Sequence, residues 1–123
     1  MSVQHQILYV DDDEALVCLV EHLLRDAGYG VTTCVDATGA LQLLEAYPDR
    51  FDLVVSDMNM PGMSGLEFAR QMLAIHPQLS LALVSGYVDP EQHRQAQLLG
   101  VRKLIRKPGN IHELVKELAG LVL

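Results

Sequence analysis

The chain has 123 residues, half of them hydrophobic and 20% charged, a balance that suits one folded domain rather than a disordered segment. Acidic residues outnumber basic ones by 16 to 9, and a net charge of -7 argues against a surface built to neutralise nucleic-acid phosphates. No apolar run is long enough to cross a bilayer, and the N-terminus lacks the basic-then-apolar build of a signal peptide, so a cytoplasmic protein without direct membrane contact is expected.

Strand and helix patterns alternate five times. Ile7 to Val10 reads as a buried strand, followed by a helix with Leu16, Val17, Val20, Leu23, Leu24 and Ala27 at helical spacing and Gly28 at its stop. Asp13 suits the N-cap of that helix. Val31 to Val35 is the second strand; Asp36 then caps a helix bearing Ala37, Ala40, Leu41 and Leu44, which Pro48 ends. Phe51 to Ser56 is a third strand leading into Asp57. Ser64 and Glu67 have capping-box spacing and open a helix carrying Leu66, Ala69, Met72, Leu73 and His76 before Pro77.

Leu79 to Ser85 is the fourth strand, and Asp89-Pro90 starts a helix, Glu91 to Leu99, that offers only Ala96, Leu98 and Leu99 to a core. It is the weakest helix and a candidate for movement. Lys103 to Ile105 is the fifth strand, and Asn110 with Glu113 caps a last helix bearing Leu114, Val115, Leu118, Leu121 and Val122. Regular βα alternation with short loops predicts a five-stranded parallel sheet with helices on both faces, the doubly wound α/β class. A closed eight-unit barrel needs about twice this length. The whole of 1–123 reads as a single domain with no output domain attached.

Three strand ends carry the chemistry. Asp11, Asp12 and Asp13 follow the first strand, Asp57 ends the third, and Lys107-Pro108 follows the fifth. In a doubly wound sheet the first and third strands are neighbours, and ligands collect at this carboxyl edge. Mg²⁺ takes oxygen ligands and uses one or two carboxylates beside a phosphate. Asp11, Asp12 and Asp57 supply those carboxylates, and the backbone carbonyl of Asn59 is a further candidate ligand. A carboxylate can also act as a nucleophile and form an acyl phosphate, for which Asp57 is the best choice. Lys107 places a point charge where phosphoryl oxygens would lie, and Ser85 offers a hydroxyl to them.

These residues, Ile7-Leu8-Tyr9-Val10-Asp11-Asp12-Asp13, Asp57 with Met60-Pro61 and Gly65, Ser85, and Lys107-Pro108, resemble the receiver domain of two-component response regulators over essentially the whole chain. The resemblance implies the (βα)5 flavodoxin-like fold with strand order 2-1-3-4-5 and Asp57 as phosphoacceptor. It also implies a Mg²⁺ pocket at Asp11 and Asp12, and a phosphohistidine donor on a histidine kinase or phosphotransfer protein. Ser85 takes the place of the family's switch hydroxyl and Lys107 that of its phosphoryl-contacting lysine. Two positions depart from the pattern. Leu104 stands where receivers usually carry Tyr or Phe, so the coupled swing of a ring has no ring to use. Gly109 stands where a large apolar residue is common. Asn59 and Tyr87 occupy the positions that flank the water route to the acyl phosphate in the family. The stretches Ser85-Gly86-Tyr87-Val88-Asp89 and Gly100 to Pro108 resemble receivers fused to hybrid sensor histidine kinases; a stand-alone regulator is the alternative.

Other residues read more plainly. Cys18 and Cys34 have no metal or redox spacing and are expected as buried free thiols. Met58, Met60 and Met63 are expected to pack the loop, and His5, His22, His76, His93 and His112 to lie at the surface or its boundary. Arg102-Lys103 with Arg106-Lys107 suits a solvated edge. Gly28-Tyr29-Gly30 follows a helix, whereas a dinucleotide loop follows a strand. Two further function classes compete: an aspartyl phosphohydrolase, disfavoured because Asn59 replaces the second acid such enzymes often use, and an interaction module with a vestigial site. Homodimerisation is possible.

Overall fold

The computed structural model describes residues 4–87, 89–107 and 109–122; Val88 and Pro108, each part of a motif above, lie outside the described residues. The chain order is β1 (Gln6–Val10), α1 (Glu14–Asp26), β2 (Gly30–Cys34), α2 (Ala37–Ala46), β3 (Leu53–Asp57), α3 (Gly65–Ile75), β4 (Ser80–Ser85), α4 (Pro90–Leu99), β5 (Lys103–Arg106) and α5 (Ile111–Val122). The five strands form one parallel sheet, as expected from the alternation, in the order β2-β1-β3-β4-β5 that the resemblance implies.

Strand alternation divides the core into two layers. Leu8, Val10, Val54, Leu81 and Leu83 face α2, α3 and α4. Ile7, Tyr9, Leu53, Val55, Val84 and Ile105 face α1 and α5. The central strands are thus apolar on both faces, as a parallel sheet covered on both sides requires. Among the described residues no helix is long and apolar enough to cross a membrane.

The caps mostly form where the side chains announce them. Asp13 accepts from the Leu16 amide at 3.2 Å, Asp36 from Gly39 at 2.7 Å, and Asp89 from Glu91 at 2.8 Å. Ser64 accepts from Glu67 at 3.2 Å, but the capping box is half closed, because the Glu67 carboxylate turns outward to Arg70 and Gln71. Asn110 likewise accepts from the His112 amide, at 2.8 Å, and the amide of Glu113 meets the Asn110 carbonyl. Gly28 has φ +100°, the left-handed geometry that stops α1.

Several expectations need correction. Cys18 is exposed and Cys34 only half-buried; both are free thiols. The buried stripe of α1 is Val17, Val20 and Leu24, and Cys18 sits one helical step away from it. Val35 is exposed beyond the end of β2, while β3 starts at Leu53 rather than Phe51 and includes Asp57. Phe68, absent from the expected stripe of α3, is fully buried there. In α4 only Ala96 is buried, and Leu98, expected to face the core, is 75% exposed.

Candidate functional site

Asp57 ends β3 with its side chain on the α1/α5 side of the sheet, following Leu53 and Val55 by alternation. Asp11 follows Ile7 and Tyr9 in the same way just past β1, and Lys107 follows Ile105 just past β5. Parity and parallel pairing therefore bring all three to one corner. Lys107 Nζ lies 3.3 Å from Asp57 Oδ1, and the Lys107 amide donates to the Ser85 carbonyl at 2.7 Å, fixing the start of the loop after β5.

Asp11, Asp12 and Asp57 each present a carboxylate oxygen within 4.8 Å of the other two. Asp11 and Asp57 are buried, whereas Asp12 is exposed. Asp11 Oδ1 accepts from the Asp13 amide at 3.0 Å, while Oδ2 is buried without a hydrogen-bond partner. Burial raises the Asp11 carboxyl above its ordinary range; the Asp13 amide opposes that, and the charge of Asp57 adds to it. Three crowded carboxylates with one orphaned buried oxygen, all hard oxygen donors, fit a divalent cation of the Mg²⁺ type. Asn59 is exposed two residues beyond Asp57, in the turn leading to α3. Tyr9 was not singled out from sequence. Its phenol is buried beneath the cluster, and burial, Asp11 and Asp57 all hold its proton more tightly than usual.

Ser85 ends β4 one residue past the Asp57–Val84 pairing, but with opposite parity, on the side of Leu81 and Leu83. Its hydroxyl donates to the Tyr87 carbonyl at 2.5 Å and accepts from the Tyr87 amide at 3.3 Å. The hydroxyl is thus brought to the correct edge but engaged by its own loop. Tyr87 projects into solvent, 73% exposed. Leu104 is half-buried against the α2/α3/α4 layer, on the same side as Ser85.

The loop after Asp57 is packed from below by Met58 and Met60, both buried, with Met63 half-buried, as expected. Gly65 closes it. Its amide donates to the Met58 carbonyl at 2.7 Å, and a Cβ there would meet the Asp57 carbonyl oxygen and Met58 Cα at 2.7 Å. Sequence marks Gly65 only as a motif residue, because the close approach exists only once the loop has folded back. A groove of about 460 Å³ between α3 and α4, lined in part by Leu66, Arg70, Leu98 and Leu99, contains none of the site residues. Size does not mark the site here; the convergence of charged groups at the strand ends does.

A family model described as "Response regulator receiver domain" matches residues 7–119. The chain belongs to that family. Curated relatives of this receiver include the two-component response regulator ARR12 of Arabidopsis thaliana, 35% identical over 89% of the chain and 18% of its own length. The transcriptional regulatory protein FixJ of Bradyrhizobium diazoefficiens is 33% identical over 88% of the chain and 52% of its length. The receiver thus spans about a fifth to a half of these relatives. Among solved structures, the chemotaxis protein CheY4 of Vibrio cholerae matches with a TM-score of 0.87 at 30% identity, covering 97% of the receiver and 99% of that chain. The response regulator TrrA of Thermotoga maritima, solved in complex with Mg²⁺ and BeF, matches at 0.81 and 26% identity over 96% and 99%.

Proposed function

We propose that Asp57 is the phosphoacceptor of a two-component phosphorelay, taking a phosphoryl group from a phosphohistidine and thereby switching partner or domain interactions. The observation that carries this reading is the buried Asp57 carboxylate, 3.3 Å from Lys107 Nζ and clustered with Asp11 and Asp12. The Asp57 oxygen attacks phosphorus, the P–N bond to the donor imidazole breaks, and the imidazole leaves with a proton. Asp11, Asp12, Asp57 and the Asn59 carbonyl would hold Mg²⁺, which when bound would supply positive charge to the phosphoryl oxygens. Lys107, already paired with Asp57, supplies a fixed charge to the same oxygens.

Ser85 links the site to the loop before α4. Phosphorylation of Asp57 offers the hydroxyl a stronger, charged acceptor than the Tyr87 carbonyl. Moving to it releases that carbonyl and biases the loop and α4 toward a second arrangement. Leu104, half-buried beside this path, repacks without a ring swing. Tyr87, which projects into solvent two residues beyond Ser85, would have to turn inward to shield the acyl phosphate from water. We place the receiver in a hybrid sensor histidine kinase on the resemblance of its Ser85 to Lys107 stretch, with a stand-alone regulator as alternative. An antibody to this domain decides between them by the size of the natural protein.

Intact mass, measured with Mg²⁺ and phosphoramidate on wild type and Asp57→Asn, tests the phosphoacceptor. A single phosphoryl adduct is expected, absent in the variant and without Mg²⁺. No adduct with any of several small donors would leave an interaction module with a vestigial site.

A further inference from the structure

Beside the acidic corner lies an apolar pocket that the phosphoacceptor chemistry leaves unused. It has a volume of about 200 Å³ and opens between the first turns of α1 and α5, lined among the described residues by Leu16, Lys107, Gly109, Ile111 and Leu114. Leu114 is buried and Leu16 and Ile111 are half-buried, so the walls are aliphatic. At Gly109 the wall is bare: a Cβ built there would meet nothing within 4 Å, so a side chain at this position has room to stand in the pocket. The one charged residue of the lining is Lys107, whose ammonium lies 3.3 Å from Asp57 Oδ1. The pocket and the phosphoacceptor corner therefore share a wall one side chain thick.

Size and chemistry narrow the occupant. The space is too small for a helix, and is close to the roughly 150 Å³ of an aliphatic cavity that takes up benzene. Lys107 at its edge favours an anionic group, whereas the walls beyond it offer nothing to one. A molecule with an anionic end and a flat apolar body satisfies both, and beside Asp57 that anionic end is a phosphoryl group. We infer that the pocket is a leaving-group subsite, which takes the ring of a small aromatic acyl phosphate while its phosphoryl group lies between Asp57 and Lys107. The inference rests on the phosphoacceptor reading above and adds a class of small donor to it. The Asp57 oxygen attacks phosphorus, the P–O bond to the acyl group breaks, and the aromatic carboxylate leaves with the electron pair of that bond. Gly109 sets the preference, because a larger side chain there would occupy the place of the ring.

The test is the rate of adduct formation, read by intact mass with Mg²⁺, for benzoyl phosphate and acetyl phosphate on wild type and Gly109→Leu. Both donors release a carboxylate and differ by the ring, and their intrinsic reactivities cancel when the ratio of the two rates is compared between proteins. That ratio is expected to fall roughly tenfold in Gly109→Leu, the lower end of what burying an aromatic ring is worth. Thermal melts show whether the variant is folded, and Gly109→Val takes its place if it is not. A second measurement needs no variant: benzoate is expected to halve the wild-type rate with phosphoramidate at roughly a tenth of the acetate concentration that does so. An unchanged ratio overturns the inference, because a general disturbance of the site would slow both donors alike. Benzoate no stronger than acetate also overturns it. Wild type that forms no adduct with any donor overturns this inference and the phosphoacceptor reading beneath it together. Wild type that forms adducts but is indifferent to the ring removes the inference alone.

Discussion

Two regions of this receiver sit side by side at one sheet edge and are built in opposite ways. The acidic corner stands on β1, β3 and the end of β5, with Asp11 and Asp57 buried and the strands beneath them apolar on both faces. The region proposed to switch runs from Ser85 through an exposed Tyr87 into α4, a helix with one buried residue. Chemistry needs groups held within a fraction of an ångström, and strand ends over a packed core provide that. Response needs two arrangements close in free energy, and a thinly packed helix provides that. The link proposed between them is small: the Ser85 hydroxyl, one residue past the Asp57–Val84 pairing and engaged by its own loop.

The strongest way to break this division is to remove charge from the rigid corner. Lys107→Ala takes away the ammonium 3.3 Å from Asp57 while leaving β5 in place. Adduct formation with phosphoramidate is expected to slow by roughly 10²-fold, the scale of a preorganised charge at a developing phosphoryl transition state. A rate within twofold of wild type would show that the corner does not depend on that charge.

Gly65→Ala tests rigidity rather than charge. The new Cβ would lie 2.7 Å from two backbone atoms, the Asp57 carbonyl oxygen and Met58 Cα, so the loop itself must shift. A loss of roughly 2 kcal/mol is expected, the cost of overpacking a closed site, read as a lower denaturant midpoint. Wild-type stability in this variant would mean that the loop after Asp57 is softer than the contact implies.

Asp11→Asn sharpens the comparison through pH. Burial holds the Asp11 carboxyl above its ordinary range, against the pull of the Asp13 amide. The folded state therefore binds this proton more tightly than the unfolded chain. The stability it contributes is complete below the ordinary carboxylate pKa and is lost as pH rises through the folded value. At pH 7 without metal the charged group is a net cost, so Asp11→Asn is expected to raise Tm by a few degrees in EDTA. The gain should shrink as pH falls toward 3. Excess Mg²⁺ should reverse the ranking, because only wild type keeps the full ligand set. Thermal melts from pH 3 to 8, with EDTA or Mg²⁺, read both effects.

The division was legible from sequence to different depths in its two halves. Apolar runs with β-branched residues announce all five strands, and period-2 alternation puts Asp11, Asp57 and Lys107 on one face, which the strand order and parallel register then bring to one corner. The errors fall where a residue's surroundings depend on helix phase or loop closure. Phe68 and Cys18 exchange their expected burial because one step on a helix turns a side chain by about 100°. Gly65 and the Ser85–Tyr87 bonds exist only after loops fold back on strand ends, so no local pattern signals them. The weakness of α4 was visible, since Glu91 to Leu99 offers few apolar positions, but its degree was not.

That degree is what the smallest expected effect measures. Leu98 lies on α4 facing solvent, 75% exposed, whereas Ala96, two residues earlier, is buried against the sheet. Leu98→Gln is expected to change stability by less than about 0.5 kcal/mol, as surface substitutions do. Native-state hydrogen exchange should show α4 amides opening at a lower free energy than those of α3, whose Phe68, Ala69, Met72 and Leu73 are all buried. A larger cost for Leu98→Gln would mean that α4 is anchored by its outer face as well. Exchange of α4 as slow as that of α3 would carry the same meaning, and α4 would then be a poor candidate for the part that moves.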